Sequence, residues 1–429
     1  MATSRQLREQ IAAGRWDAAL AALYGGSEKV LARQRSRYGA ALEQFELYYG
    51  PGRQVQIYSA PGRTELGGNH TDHQHGCVLA AAVELDLRAA VTPNGTGTIR
   101  VFSDGFAPAE VDIGGWDVRP EERNTTAALV RGVAAQFAAR GAALSGADIR
   151  VTGQVPVGSG LSSSAAFEVL LGRVFNGLFC GGAVSAEDIA RMGQAAERDY
   201  FGKPCGLMDQ MASSVEGLVY MDFADPARPV VERIGCDLRR SGYRLCVVDS
   251  GADHADLTAD YAAIPEELRQ VCRVFGRDVL REVDEAAFYR RLPEVRAAAG
   301  DRAVLRAIHV FDENRRAKAE AEALRRGDLG AFLALVNESG ASSWQYLQNV
   351  AAADPRHQAL ALTLALCRRA LAGQGAVRVH GGGFAGTALA FVPETLCPQF
   401  QRQVEQTLGV DRCRFLSVRN PLAGNGEYC

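Results

Sequence analysis

Lysine is almost missing from this 429-residue chain, occurring only as Lys29, Lys203 and Lys318. No GxxxxGK[ST] segment and no VAIK segment is present, so any phosphate chemistry must use a cradle other than a P-loop or a protein-kinase lysine. There is little surplus charge of either sign. With a formal net charge of -3, the chain has no basic excess to draw in nucleic acid and no polybasic cluster for a membrane surface. The ten cysteines form no CxxC pair. Zinc and a disulfide framework are therefore unsupported, and reduced thiols in a cytoplasm are the simple expectation. Neither HExxH nor GxSxG occurs, which argues against a zincin and an α/β-hydrolase elbow. The N-terminal segment lacks the uncharged core and cleavage site of a secretory signal. The most apolar stretch, about 165–183, is interrupted by Glu168 and Arg173 and reads as a core helix, not a membrane span.

What is present is a globular balance: 47% apolar and 23% charged residues in a chain too long for one ordinary core. Two lobes and a small-molecule partner follow, and a monomer is expected. Residues 1–48 read as two amphipathic helices joined at Gly25-Gly26, forming an extension on the outside. A strand is expected at 54–60, ending at the turn signal Pro61-Gly62, followed by an irregular His-rich stretch. CVLAAAV, LRAAVTP and TIRVFSD then read as separate strands, and Thr125–Arg140 as a helix. A strand at 149–155 leads through a loop into an apolar helix at 161–178, then a helix near 185–200 and strands at 218–223 and 243–250. Helices are expected near 257–276, 284–299, 301–326, 328–337 and 354–372. The chain closes with strand–loop–strand around GGGFAG, a helix near 394–408 and a strand at 413–418. Strands and helices without regular βαβ alternation give an α+β class, with a lobe boundary near 235–245.

Four segments carry candidate chemistry. In PVGSGLSSSAAFE (156–168) a strand runs through a Gly/Ser loop into a helix. Such a helix start offers free N–H groups and a positive dipole end to an anion. Gly158 and Gly160 permit close backbone approach, and Ser162, Ser163 and Ser164 can donate to phosphate or ligate Mg²⁺. A Ser-rich cap ahead of a core helix is the bland alternative. APGRTELGGNHTDHQHG (60–76) gathers Arg63, Glu65, Asn69, His70, Asp72, His73 and His75. Without metal-ligand spacing it reads either as a reader of sugar hydroxyls or as a solvated loop. Asp209 follows Pro204-Cys205-Gly206 among apolar neighbours, where a carboxylate is functional or is paired with an arginine. VHGGGFAGT (379–387) contains GxGxxG, but a strand follows where a dinucleotide fingerprint needs a helix.

Taken in order, APGRTELGGNHTDH, PVGSGLSSSAAFE, AERDYFGKPCGLMDQ, HADLTADY, IHVFDENRR, LRRGDLGAFLALVNES and GGGFAGT resemble the galactokinase branch of the GHMP small-molecule kinases. The resemblance covers nearly everything from about residue 50 onward. It implies a two-lobed GHMP fold with a helical extension at 1–48, an N-terminal α+β lobe at 49–240 and a ferredoxin-like C-terminal lobe at 241–429. The active site would lie in the cleft between the lobes. The resemblance implies that Gly158, Ser159, Gly160, Leu161, Ser162, Ser163 and Ser164 bind ATP, and that Ser164 and Glu197 hold Mg²⁺. It implies that Asp209 is the catalytic carboxylate with Arg63 as its partner. It also implies that Asn69, His70, Thr71, Asp72, Gly206 and Tyr261 bind the monosaccharide. The reading requires Arg63 and Asp209, distant in sequence, to meet beside the turn at 158–164.

One departure bears on the substrate. The family usually writes Gly-Glu-His-x-Asp-Tyr, and that acid contacts the sugar's hydroxymethyl group; this chain has Gly68-Asn69-His70-Thr71-Asp72-His73. An amide there weakens an ionic acceptor and adds a donor. Galactose remains the leading substrate, with a galacto-configured uronate as the runner-up because charge would no longer repel it. Glu65, where the family usually has Asn, is expected to be a change behind the site. A non-catalytic sensor of sugar and ATP is the other alternative, opposed by the intact Ser163, Ser164, Glu197 and Asp209. Another GHMP activity, such as mevalonate or homoserine phosphorylation, is opposed by the CGLMDQ and HTDH segments.

Overall fold

The computed structural model describes residues 2–252, 258–352, 354–384 and 386–421. Seven strands build the first sheet: β1 (Gln56–Gly67), β2 (Cys77–Pro93), β3 (Thr98–Ser103), β4 (Ala109–Asp112), β5 (Ala147–Gly153), β6 (Leu218–Asp222) and β7 (Val230–Ile234). Their order is β4-β3-β5-β2-β6-β7, with β1 paired to β2. Four more, β8 (Tyr243–Asp249), β9 (Ala376–His380), β10 (Thr387–Pro393) and β11 (Cys413–Leu416), form an antiparallel sheet in the order β11-β8-β10-β9. With helix Ala359–Leu371 ahead of β9 and helix Cys397–Leu408 ahead of β11, this is the ferredoxin-like βαββαβ arrangement.

β2 organises the first sheet. Its 17 residues pair with β1 along one edge. The other edge is shared by β5 at Leu87–Pro93 and β6 at Cys77–Ala81. Successive side chains point to opposite faces. Leu79, Ala81 and Val83 meet Ala317, Ala321 and Leu324 of helix Asp301–Arg325. Val78 and Ala80 meet Met211, Ala212 and Val215 of helix Met208–Val215. Further along, Ala89 and Val91 join helices Thr126–Ala139 and Ser163–Cys180, whereas Ala90 faces the N-terminal helices. Both faces are covered: residues 77–83 read as an apolar run, and the Glu84, Asp86 and Arg88 that follow are themselves buried.

Several expectations are corrected here. The expected strands CVLAAAV and LRAAVTP are one strand. β1 does not turn at Pro61-Gly62: it continues to Gly67, absorbing the pair in a register shift between Pro61 and Arg63. β4 and β7 were not anticipated, being short and partly exposed. The helix expected at 284–299 is two, Glu285–Arg290 and Leu292–Ala299, the second with Pro293 in its first turn. The N-terminal extension forms three helices, Ser4–Ala12, Asp17–Tyr24 and Glu28–Tyr49. They share a core with Val55, Ile57 and Ala90. Buried Asp86 ties them down, accepting from the Tyr24 hydroxyl, from Arg37 at 2.7 Å and from Arg419 at 3.0 Å. Among the described residues, no helix is long and apolar enough to cross a membrane.

Candidate active site

The loop between β5 and helix Ser163–Cys180 delivers backbone to an open surface. Ser162 caps this helix in a left-handed conformation, φ 55°, and its side chain makes no capping hydrogen bond. The first-turn N–H groups thus lack a side-chain acceptor, the condition for an anion site. Gly160 has φ 72°, and a Cβ there would fall 2.8 Å from Thr387 Oγ1 and 2.9 Å from His380 Nδ1. The β9–β10 hairpin therefore underlies the phosphate loop and admits only glycine at that point. His380 is held by Thr64 at 3.0 Å and Thr387 at 2.9 Å. Burial pulls its pKa down to about 3, so it supports the loop as a neutral ring. Ser159 donates to Pro156 O at 2.8 Å, and the carbonyl of buried Leu161 accepts from Arg63 N at 3.0 Å.

Arg63 and Asp209, 146 residues apart, meet beside this loop. Arg63 Nε donates to Asp209 Oδ1 at 2.7 Å and Nη2 to Oδ2 at 2.6 Å. Its Nη1 donates to the Gly160 carbonyl. Ser162 Oγ adds a bond to Asp209 Oδ2 at 2.6 Å. Burial would raise the Asp209 carboxyl, but the Arg63 guanidinium and the Ser162 hydroxyl more than offset it and hold the group below its ordinary value. Asp209 nevertheless keeps 29% of its side chain exposed, so it faces the cleft as an ionised acceptor.

Glu197 lies on a π-helical turn, Ala196–Phe201, that follows helix Ala186–Ala195 where one continuous helix was expected. Ser164 Oγ donates to Glu197 Oε1 at 3.0 Å and Lys203 Nζ reaches the same oxygen at 3.1 Å. Gln210 Nε2 bridges Glu197 Oε2 and Glu168 Oε2, each at 2.9 Å. Burial, and then the charge of Glu197, push the Glu168 carboxyl well above its usual range. Among the described residues, no group of three or more His, Cys, Asp or Glu side chains could hold a metal by itself. Ser164 Oγ and the Glu197 carboxylate set two hard oxygens side by side, the donor type that Mg²⁺ takes.

A polar cleft opens next to Asp209, lined by Arg63, Glu65, His70, Asp72, Gly206 and Tyr261, with Asn69 and Lys203 also on its wall. His70 has φ 63° and its Nε2 contacts Gly382 O at 2.9 Å. Burial lowers its pKa to about 3, which leaves the ring neutral with Nε2 as donor to that carbonyl. The Tyr261 ring lies 5.5 Å from the His70 ring; the His254 that begins its motif is outside the described residues, as is Ala385 of GGGFAGT. A Cβ on Gly206 would fall 1.9 Å from Asp72 Oδ2, so this glycine makes room for the carboxylate. Thr71 faces away from the cleft, fully buried, with its single hydroxyl proton placed between Gly68 O at 2.8 Å and Cys77 O at 2.6 Å.

The floor of the cleft was not anticipated. Glu313 Oε1 accepts from the N–H groups of Gly68 and Asn69, both at 3.2 Å, and from Ser339 at 2.6 Å. Arg378 of β9 donates to Glu65 Oε1 at 2.5 Å and to Leu66 O at 2.8 Å. Glu65 is therefore not behind the site: it is on the cleft wall, opposite in identity to the family's pattern at both 65 and 69. The exchange of acid and amide four residues apart was the one sequence signal for it. A second pocket, on the other side of the phosphate loop, is lined by Ser163 and Ser164 and by Phe106, Leu129, Val157 and Phe167. Its mostly apolar lining suits a purine ring.

Residues 128–217 match the model of the GHMP kinases N-terminal domain, and residues 43–93 match the galactokinase galactose-binding signature. A galactokinase of Streptomyces coelicolor is 32% identical over 356 residues, 82% of this chain and 88% of that protein. The chain belongs to the galactokinase family. As a family member it is an ATP-dependent phosphotransferase with an alcohol group as acceptor. The Lactococcus lactis galactokinase complexed with galactose has the same fold, with a TM-score of 0.74 at 23% identity, covering 90% of this chain and 98% of that one. The Methanococcus jannaschii mevalonate kinase is more distant in fold, with a TM-score of 0.61 at 12% identity, covering 86% of this chain and 100% of that one.

Proposed function

We propose that this kinase transfers the γ-phosphoryl group of ATP to the anomeric hydroxyl of D-galactose, giving galactose 1-phosphate and ADP. The observation that carries the proposal is the Arg63–Asp209 pair at the junction of a helix start without a side-chain cap and a polar, sugar-sized cleft. The adenine occupies the apolar pocket beside Phe106. The triphosphate lies along residues 158–164, where backbone N–H groups and the helix dipole replace the missing lysine. Ser164 and Glu197 would hold Mg²⁺. The ion supplies charge neutralisation on the phosphate oxygens.

Asp209 accepts a hydrogen bond from the sugar's reacting hydroxyl and aims its oxygen at the phosphorus. Because phosphoryl transfer has a loose transition state, alignment and electrostatics matter more than early proton removal. Arg63 keeps Asp209 ionised and at the same time donates to Gly160 O, so acceptor and phosphate loop are tied into one unit. His70, Asp72, Gly206 and Tyr261 fix the ring. The carboxylate of Glu65 on the cleft wall disfavours a uronate, which supports the neutral sugar over the charged runner-up. A coupled ADP-release assay across galactose, glucose, N-acetylgalactosamine and galacturonate tests the proposal. Galactose should give by far the highest kcat/KM; turnover on galacturonate alone, or no sugar-dependent turnover, would overturn it.

A further inference from the structure

Asn69 cannot read the substrate, and the reason is arithmetic. A side-chain amide has two N–H donors and a carbonyl oxygen with two lone pairs. In this fold Asn69 is fully buried. Its Nδ2 donates to Glu65 Oε1 at 3.1 Å and Gly381 O at 2.8 Å. Its Oδ1 accepts from Asn349 Nδ2 at 2.9 Å and from Ser343 Oγ at 3.3 Å. Every hydrogen-bonding position is committed to the protein, so contact with a sugar would require breaking one of four bonds.

Glu65 is in the opposite condition. Its Oε1 takes Arg378 at 2.5 Å and Asn69 at 3.1 Å, whereas no described residue donates to Oε2. The side chain is 5% exposed, and it lines the cleft with Arg63, His70, Asp72 and Tyr261. Oε2 is not among the side-chain oxygens that are fully buried without a partner, so it stays open to the cleft, and a hydroxyl delivered by the substrate can take that free acceptor position.

We infer that Glu65, through Oε2, is the acceptor for the hydroxymethyl hydroxyl of the sugar, and that Asn69 serves to hold it there. The acid has moved four residues up the chain while remaining at the same wall of the cleft. Asn69 and Arg378 clamp Oε1 and so leave Oε2 pointing to the ligand. The inference rests on the galactokinase reading above and adds to it the residue that sets specificity at that end of the sugar. It predicts two rejections: a 6-deoxy sugar leaves Oε2 without its donor, and a uronate places a second carboxylate against the first.

The test is kcat/KM for galactose, 6-deoxygalactose and galacturonate with the native enzyme, Glu65→Gln and the exchange variant E65N/N69E. The native enzyme should prefer galactose over 6-deoxygalactose by about 10- to 100-fold, the range of a hydrogen bond to a charged group. In Glu65→Gln the discrimination against galacturonate should fall at least tenfold, a gain that loss of folding cannot imitate. The exchange variant, which returns the acid to position 69, should regain preference for galactose. Equal kcat/KM on galactose and 6-deoxygalactose by the native enzyme would overturn the inference. So would an unchanged galacturonate ratio in folded Glu65→Gln, or, should that variant not fold, an exchange variant without galactose preference. Failure of the native enzyme to phosphorylate galactose at all would instead remove the underlying functional reading.

Discussion

The two halves of the cleft are built differently. The phosphate half is local: residues 158–164 run straight into one helix, and the chemistry rests on backbone groups and short side chains within a few positions. Only Arg63, Glu197 and Asp209 come from elsewhere. The sugar half is assembled from β1, the 68–76 loop, helix Asp301–Arg325, the turn at Ser343–Leu347 and the β9–β10 hairpin, tied by buried charges such as Glu65, Glu313 and Arg378. A local site tolerates little change at any one residue. A distributed site can relocate a functional group, as the acid at 65 and the amide at 69 have done, provided that the surrounding bonds move with it.

Substitutions that separate these halves sharpen the contrast. The largest effect is expected at their junction. Asp209→Asn should lower kcat about 10³-fold, with ATP affinity by fluorescence titration unchanged within about threefold. Arg378→Met removes the guanidinium from buried Glu65 and should destabilise the fold by about 3–5 kcal/mol in urea denaturation. The corresponding loss should not appear for Lys203→Met, whose side chain is 59% exposed.

A third effect concerns Glu84, which joins the first sheet to the end of the chain by accepting from Ser417 N at 2.5 Å. Burial raises its folded pKa to about 7. A raised carboxyl stabilises the fold fully below the unfolded value, near 4.5, and that contribution is lost as pH rises through the folded value. Stability should therefore fall by on the order of 3 kcal/mol between about pH 4.5 and 7, and Glu84→Gln should flatten that slope. Smaller again, Glu197→Gln should raise the Mg²⁺ concentration needed for half-maximal rate by about tenfold or more, with the galactose KM nearly unchanged. A matching rise in galactose KM would mean that the two halves are not separable.

The contrast also explains what the sequence revealed. The helix start at 158–164 was legible because its chemistry follows from Gly, Ser and a following apolar run. The meeting of Arg63 and Asp209 was inferable from family resemblance, but no local pattern dictates it. The length of β2 was obscured by Glu84 and Asp86, which separate its two Ala-rich segments in the sequence but are buried within a single strand. Pro61-Gly62 looked like a turn and is a bulge that lets β1 carry Arg63 and Glu65 into the cleft. The cleft floor was illegible for a simpler reason: Arg378 and Asn349 reach Glu65 and Asn69 across hundreds of residues, and nothing in either segment announces the other.

The most direct test of the account is the position of the phosphate on the product. In the proposed orientation Asp209 and the phosphate loop meet the anomeric end of the sugar, and Glu65 meets the hydroxymethyl end. A proton-coupled ³¹P spectrum of the galactose product should therefore show a doublet from the single anomeric proton. Coupling to two methylene protons, the mark of a 6-phosphate, would mean that the sugar lies the other way round in the cleft and would contradict the account.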